Sequence, residues 1–181
     1  MTELINRPEY LKQLIENKDV NLVKIITGIR RCGKSSLLDL FHQYLTQNGV
    51  SDENIIHMNL ESLRYRNLSN YLSFYDYVSE LIPKNGKTYL IFDELQVIEH
   101  WEKAIESFRL DFDVDIYITG SNAYLLSTEF STFLSGTMGG AAFCFSPSGR
   151  FACGSKTVGG ELGRKISKIF TIWRNANFKR I

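Results

Sequence analysis

The sequence predicts an α/β fold, a mainly parallel sheet flanked by helices. Three observations predict it. Short apolar runs at 20–27, 54–60, 88–94 and 114–119 alternate with segments whose apolar residues recur at helical spacing. The first run, rich in β-branched residues, opens directly into the glycine-bounded octet Gly28-Ile29-Arg30-Arg31-Cys32-Gly33-Lys34-Ser35. The third ends in Asp93-Glu94, which puts two acids at the carboxyl end of a buried strand. The 181 residues, 44% hydrophobic and 23% charged, suit one domain or one domain plus an appendage. They exclude a disordered, collagen-like or coiled-coil chain.

The elements follow in order. Residues 7–15 read as a short helix, with Pro8 in its first turn and Tyr10, Leu11, Leu14 and Ile15 on one face. Residues 20–27 read as a strand buried on both faces. The octet after it fits G-x-x-x-x-G-K-[ST], the phosphate-binding P-loop or Walker A pattern. Gly28 and Gly33 allow backbone angles that other residues resist. A row of N–H groups, with a helix N-terminus behind it, can then curve around a phosphate. Lys34 is expected to reach the β- and γ-phosphates, and the Ser35 hydroxyl to ligate Mg²⁺. The expected nucleotide-binding residues are Gly28, Arg31, Cys32, Gly33, Lys34, Ser35 and Ser36. Arg30 and Arg31 either place positive charge near phosphates or are simply solvated. Cys32 reads as a small filler, although its place near a helix N-terminus favours a thiolate.

In the next helix Leu37, Leu38, Phe41 and Leu45 share a face and Gly49 closes the end. A second strand covers 54–60. Residues 70–82 form a helix with an aromatic stripe (Tyr71, Phe74, Tyr75) that is expected to pack on a sheet rather than stack bases. Pro83 stops it and Asn85-Gly86 makes a turn. Residues 88–94 show the Walker B pattern, four apolar residues and then two acids. Asp93 is expected to hold Mg²⁺ through its water shell, and Glu94 to orient or deprotonate the attacking water. The aspartate stands 59 positions after Lys34, with one strand between. Trp101, Ile105 and Phe108 predict a helix covering the sheet. The strand at 114–119 ends in Gly120-Ser121-Asn122, a small polar tip expected to touch the water or the γ-phosphate. Asn122 is therefore counted as catalytic beside Glu94 and Lys34. A helix N-cap by Ser121 or Asn122 is the other reading of the same place. His42, His57 and His100 lie far apart with no ligand spacing, so no metal beyond Mg²⁺ is expected.

An extra strand between the two Walker motifs, with glutamate after the Walker B aspartate, resembles the additional-strand catalytic-glutamate class of P-loop NTPases, to which AAA+ ATPases belong. The strings Gly28 to Leu38, Asp93-Glu94-Leu95-Gln96, Trp101-Glu102, Thr119-Gly120-Ser121-Asn122-Ala123 and Leu134-Ser135-Gly136 resemble one prokaryotic family more narrowly. It is the AAA-like ATPase family whose members carry a C-terminal domain of unknown function. The resemblance covers residues 7–136 and implies ATP as nucleotide, but no cellular task.

Past Gly136 the composition changes. Residues 1–136 carry 13 Lys/Arg against 19 Asp/Glu, a net −6, while 137–181 carry eight against one, a net +7. Seven of the 13 glycines fall in that last stretch. The sequence thus divides into an ATPase core at 1–136 and an irregular, basic, Gly/Ser-rich tail at 137–181. The tail offers no sheet edge and is expected to be poorly packed, apart from a short helix at 165–173. The arginine that family members carry after Leu-Ser-Gly is Thr137 here, which leaves Arg30, Arg31 and Arg109 as substitutes. A linker or a nucleic-acid arm would account for the tail, but out-of-frame translation is favoured. Read one base later, and with free codon choice, 168–176 can encode Lys-Tyr-Leu-Arg-Phe-Gly-Glu-Met-Pro. That resembles a block further along in the family. On this reading the core is truncated.

The expected function is an ATP-binding P-loop NTPase core with slow Mg²⁺-dependent hydrolysis. Its cofactors are ATP and Mg²⁺. A nucleotide-dependent switch without significant turnover is one alternative. A nucleic-acid-binding protein using the basic tail is another. Self-association or a protein partner is left open, with none identified. The absence of an apolar run of the roughly 18–20 residues a membrane helix needs, and of a signal peptide, makes cytoplasm the default expectation.

Overall fold

A computed structural model of the chain describes residues 8–28, 32–121, 140–145 and 152–155. The elements run α1 (Pro8–Glu16), β1 (Val23–Gly28), α2 (Lys34–Gln47), β2 (Ile55–Asn59), α3 (Tyr71–Leu81), β3 (Thr88–Asp93), α4 (Trp101–Asp111), β4 (Val114–Ser121), β5 (Gly140–Phe145) and β6 (Ala152–Ser155). The strands form one sheet in the order β2-β3-β4-β1-β5-β6, parallel throughout except for β6. The α/β class is therefore as expected, and β2, the strand between the two Walker motifs in sequence, lies at one edge of the sheet.

Strand alternation sends side chains to opposite faces of the sheet, and the two faces build two cores. On one, Ile25, Phe92, Ile116 and Ile118 meet Phe74 and Val78 of α3 and Trp101, Ile105 and Phe108 of α4. The Phe74 ring stands edge-on to Phe92 at 5.0 Å and to Phe108 at 5.8 Å. The aromatic stripe of α3 is thus packing, as its periodicity predicts. On the other face, Ile26, Ile91 and Tyr117 meet Leu37, Leu38, Phe41 and Leu45 of α2 and Tyr10 and Leu14 of α1.

The helix ends follow local chemistry. Asn70 caps α3 by accepting the N–H groups of Leu72 and Ser73 at 3.0 and 3.1 Å. Ile82, extended ahead of Pro83, stops it. The left-handed Gly49 follows α2, and its N–H donates to the carbonyl of Thr46. Among the described residues no helix is long and apolar enough to cross a membrane.

Beyond Gly136 the structure corrects the sequence reading. Residues 140–145 form β5, parallel to β1 over its whole length, and 152–155 form β6 against it. The run Gly140-Ala141-Ala142-Phe143-Cys144-Phe145 lacks the β-branched residues that mark the other strands. Its pairing depends on the edge of β1, which would otherwise leave a row of backbone donors and acceptors unpaired. The expected helix at 165–173 lies outside the described residues.

Candidate functional site

In this strand order β4 lies between β1 and β3, and the parallel directions put all three carboxyl ends at one edge of the sheet. Gly28 closes β1, in register with Ser121 of β4. Gly33 then takes the left-handed region, φ 94° and ψ 24°, directly before the first residue of α2. Among the described residues nothing lies within 4 Å of where its Cβ would stand, and the backbone torsion by itself favours glycine there. That requirement falls on Gly33, whereas Gly28 is a strand residue.

Lys34 is buried, only 4% exposed, as the first residue of α2. Its Nζ lies 3.5 Å from the carbonyl oxygen of Gly28 and 3.5 Å from Oε1 of Glu94. Ser35 is exposed in the same turn, with Cys32 and Ser36 half-buried beside it. Arg31, Arg30 and Asn122 lie outside the described residues, as does Thr137.

Asp93 ends β3 and is 2% exposed. Its Oδ1 accepts a short hydrogen bond from the Thr119 hydroxyl. That same hydroxyl oxygen accepts the backbone N–H of Glu94 at 3.0 Å. One β4 side chain therefore fixes both acids. Glu94 itself has left-handed backbone, φ 56° and ψ 47°, which is uncommon for a residue with a Cβ. Such strain persists only where the surroundings hold it, and here Thr119 holds the amide. The side chain is held as well, since Gln96 Nε2 donates to Glu94 Oε2 at 2.6 Å.

Lys34, Asp93 and Glu94, up to 60 positions apart in the chain, thus stand at one place. Two carboxylates against one ammonium leave one negative charge in excess, the sign a divalent cation neutralises. Among the described residues no group of three or more His, Cys, Asp and Glu side chains is arranged to hold a metal. Mg²⁺ is usually held by one or two protein ligands together with substrate phosphates and water rather than in an all-protein cage. Asp93 and Ser35 fit that role.

Thr119 and Gln96 carry contacts that sequence reasoning did not assign. Both stand inside the strings that carried the family resemblance, but no spacing rule singles them out. Two further expectations change. Arg109 donates to Asn21 Oδ1 at 3.3 Å, beside the amino end of β1 and away from the acids, so it is no substitute for the arginine. His42 and His57, distant in sequence, meet with their Nδ1 atoms 3.3 Å apart on the flank of α2. Burial holds the His57 imidazole below its usual range, against the Asp39 carboxylate 4.0 Å away.

The family model of an AAA domain matches residues 20–144, from just before β1 into β5. The chain belongs to the AAA domain family. An uncharacterized protein of Haemophilus influenzae is 44% identical over 134 residues, which is 74% of this chain and 34% of that protein. An uncharacterized protein of Methanocaldococcus jannaschii, MJ1544, is 35% identical over 139 residues, 74% of this chain and 28% of that protein. The AAA chain described here spans about a third of the length of these curated relatives. Membership agrees with a nucleotide-binding, P-loop ATPase-like fold.

Proposed function

We propose that residues 1–136 are the ATP-binding core of a Mg²⁺-dependent ATPase and that this chain hydrolyses ATP slowly. One observation carries the reading. The Nζ of Lys34 and the carboxylate of Glu94 meet at 3.5 Å at the carboxyl edge of the sheet, with Asp93 next to Glu94. Phosphoryl transfer to water asks little covalent chemistry of a protein and much positioning and charge stabilisation.

The residues divide that work. Lys34 presents a buried ammonium to the β- and γ-phosphates. The N-terminus of α2, opened by Gly33, adds backbone N–H groups and the positive end of the helix dipole. Asp93 and the Ser35 hydroxyl would hold Mg²⁺, which when bound offsets phosphate charge. Glu94 would orient water and take its proton at a carboxylate oxygen. Asn122, Arg31, Cys32 and Ser36 complete the proposed site.

Slow turnover is expected from Thr137 if the arginine of family members acts on the transferring phosphate rather than only holding the fold. An arginine near the transferring phosphate contributes about 10³–10⁵ in rate, and the arginine of family members is replaced here. The reading of 137–181 as an out-of-frame tail is supported by its shift in charge, while the family match to residue 144 and the pairing of β5 with β1 stand against a break at 136 itself. The nucleotide sequence of the gene tests it, and family residues in no other frame would end it.

Binding and hydrolysis are tested separately. Mg·ATP at 100 times its dissociation constant should stabilise the chain by about 2.7 kcal/mol, and Lys34→Ala should remove most of that shift. Glu94→Gln should keep ATP binding and lower phosphate release. An equal thermal shift in Lys34→Ala would refute the binding site. A parental rate in Glu94→Gln would refute the base.

A further inference from the structure

Away from the acids, β2 and α2 bring two histidines together. Alternation along β2 sends Ile56 and Met58 into the core under α3 and α4, and Ile55 into the core under α1 and α2. His57 therefore shares the α2 side of the strand with Ile55. On α2, Asp39 and His42 are three positions apart and stand on one face of the helix. His42 Nδ1 lies 3.3 Å from His57 Nδ1, and Oδ1 of Asp39 lies 4.0 Å from that same His57 nitrogen. The two rings do not stack, since their planes are inclined at 60° with centroids 5.5 Å apart.

This contact has the shape of a chelate. A separation of 3.3 Å is long for a hydrogen bond. It would also require one ring to carry its proton on Nδ1 and the other to leave that nitrogen bare. The same separation matches the bite of a tetrahedral metal. Two nitrogens about 2.0–2.1 Å from one ion at the tetrahedral angle stand about 3.3–3.4 Å apart. An octahedral ion at that bond length would draw them to about 2.9 Å. The Asp39 carboxylate adds a negative charge beside the gap. Asp39 and His42 also line an open cleft with Gln43, Thr46 and Gln47, which gives an ion and its waters a way in.

We propose that His42 and His57 chelate Zn²⁺ through their Nδ1 nitrogens, with water in the remaining positions. Two protein ligands and water make an open site, which agrees with the absence of a three-ligand group among the described residues. Imidazole suits Zn²⁺, whereas Mg²⁺ takes oxygen ligands. His42 stands eight positions along α2 from Lys34, a rise of about 12 Å. The ion therefore lies apart from the nucleotide site. It ties α2, the helix that Lys34 opens, to β2 at the edge of the sheet. The reading stands whether or not the chain handles ATP.

The test is titration calorimetry of the full chain with Zn²⁺ alone, repeated on His42→Gln and His57→Gln. Glutamine keeps a polar side chain of similar size and removes the imidazole. Both histidines are half-buried. His42→Gln, on the helix, keeps the test open should His57→Gln disturb β2, and far-UV circular dichroism checks the fold of each. The parent chain should bind Zn²⁺. Each folded variant should bind it at least about tenfold more weakly, since even the outer-shell partners of metal ligands are worth about 10–100-fold. A roughly tenfold excess of Mg²⁺ over Zn²⁺ should leave the parent titration unchanged. No Zn²⁺ binding by the parent overturns the proposal. So does parental affinity in either folded variant, which would put the ion elsewhere. Competition by Mg²⁺ also overturns it, because an ion that Mg²⁺ displaces sits on oxygens such as those of Asp93 and Ser35.

Discussion

Replacing Asp115 by alanine probes the end of the sheet opposite the candidate site. Asp115 is 3% exposed near the start of β4 and faces Lys24 of β1, which is 0% exposed. The two form a short ion pair. Asp115 also accepts the Tyr117 hydroxyl and the backbone N–H of Asp19, both at 2.9 Å. Burial pushes the Tyr117 hydroxyl up, so it remains a donor at any working pH. Alanine at 115 leaves Lys24 with the carbonyl of Val20 at 2.6 Å as its remaining hydrogen-bond acceptor among the described residues. An uncompensated buried charge costs about 3–5 kcal/mol, and each stranded donor about 1–3 kcal/mol. Burial already pulls the Lys24 ammonium down, with Asp115 opposing, so without Asp115 the lysine sheds its proton more readily and limits the loss. We expect a total of about 4–6 kcal/mol, a large share of a domain's roughly 5–15 kcal/mol. The pair Lys24→Met with Asp115→Asn keeps an acceptor for Tyr117 and Asp19 and removes both charges. It should cost no more than about 1 kcal/mol. Urea midpoints followed by far-UV circular dichroism, at unchanged slope, give both numbers. A loss under about 1 kcal/mol in Asp115→Ala, or a double variant as costly as the two singles summed, would refute a coupled buried pair.

Three further outcomes are expected. Asn70→Ala removes the cap of α3 and should cost about 0.5–2 kcal/mol in a urea titration; a neutral result would mean the two N–H groups find water instead. His57 is held below its usual range by burial, so below about pH 6.5 the unfolded chain binds a proton that the fold does not. Stability should therefore fall as pH drops through that value, by at most about 1.4 kcal/mol per pH unit, and His57→Gln should flatten the fall. Deleting 140–181 strips β5 from the edge of β1 and should lower the thermal midpoint; an unchanged midpoint would show that β5 contributes nothing to the sheet.

Much of the fold and part of the site were legible in the sequence because they depend on neighbours in the chain. The octet from Gly28 to Ser35 predicts a helix start set by local torsion, and among the described residues the left-handed Gly33 stands directly before α2. The helical spacing of Phe74 and Val78, or of Trp101, Ile105 and Phe108, names the buried face before any partner is known, since a helix must bury its apolar stripe somewhere. The alternation of strands and helices carried the α/β class in the same way.

Pairings across the sheet were decided only in three dimensions. Asp93 and Thr119 are 26 positions apart, His42 and His57 are 15, and Lys24 and Asp115 are 91. No periodicity links such residues, and strand order alone brings them together. β5 is the sharpest case, because Gly140, Ala141 and Ala142 have weak strand preference and the open edge of β1 gives them a partner. Gln96 stands two positions from Glu94, yet its bond depends on the left-handed turn at Glu94, which Thr119 of β4 fixes from across the sheet. The sequence alone determined which helix faces are buried and which residues are candidates for handling phosphate, because those depend on periodicity and local chemistry. Which acid faces which base was decided by long-range packing, because each contact depends on where the rest of the sheet places its partner.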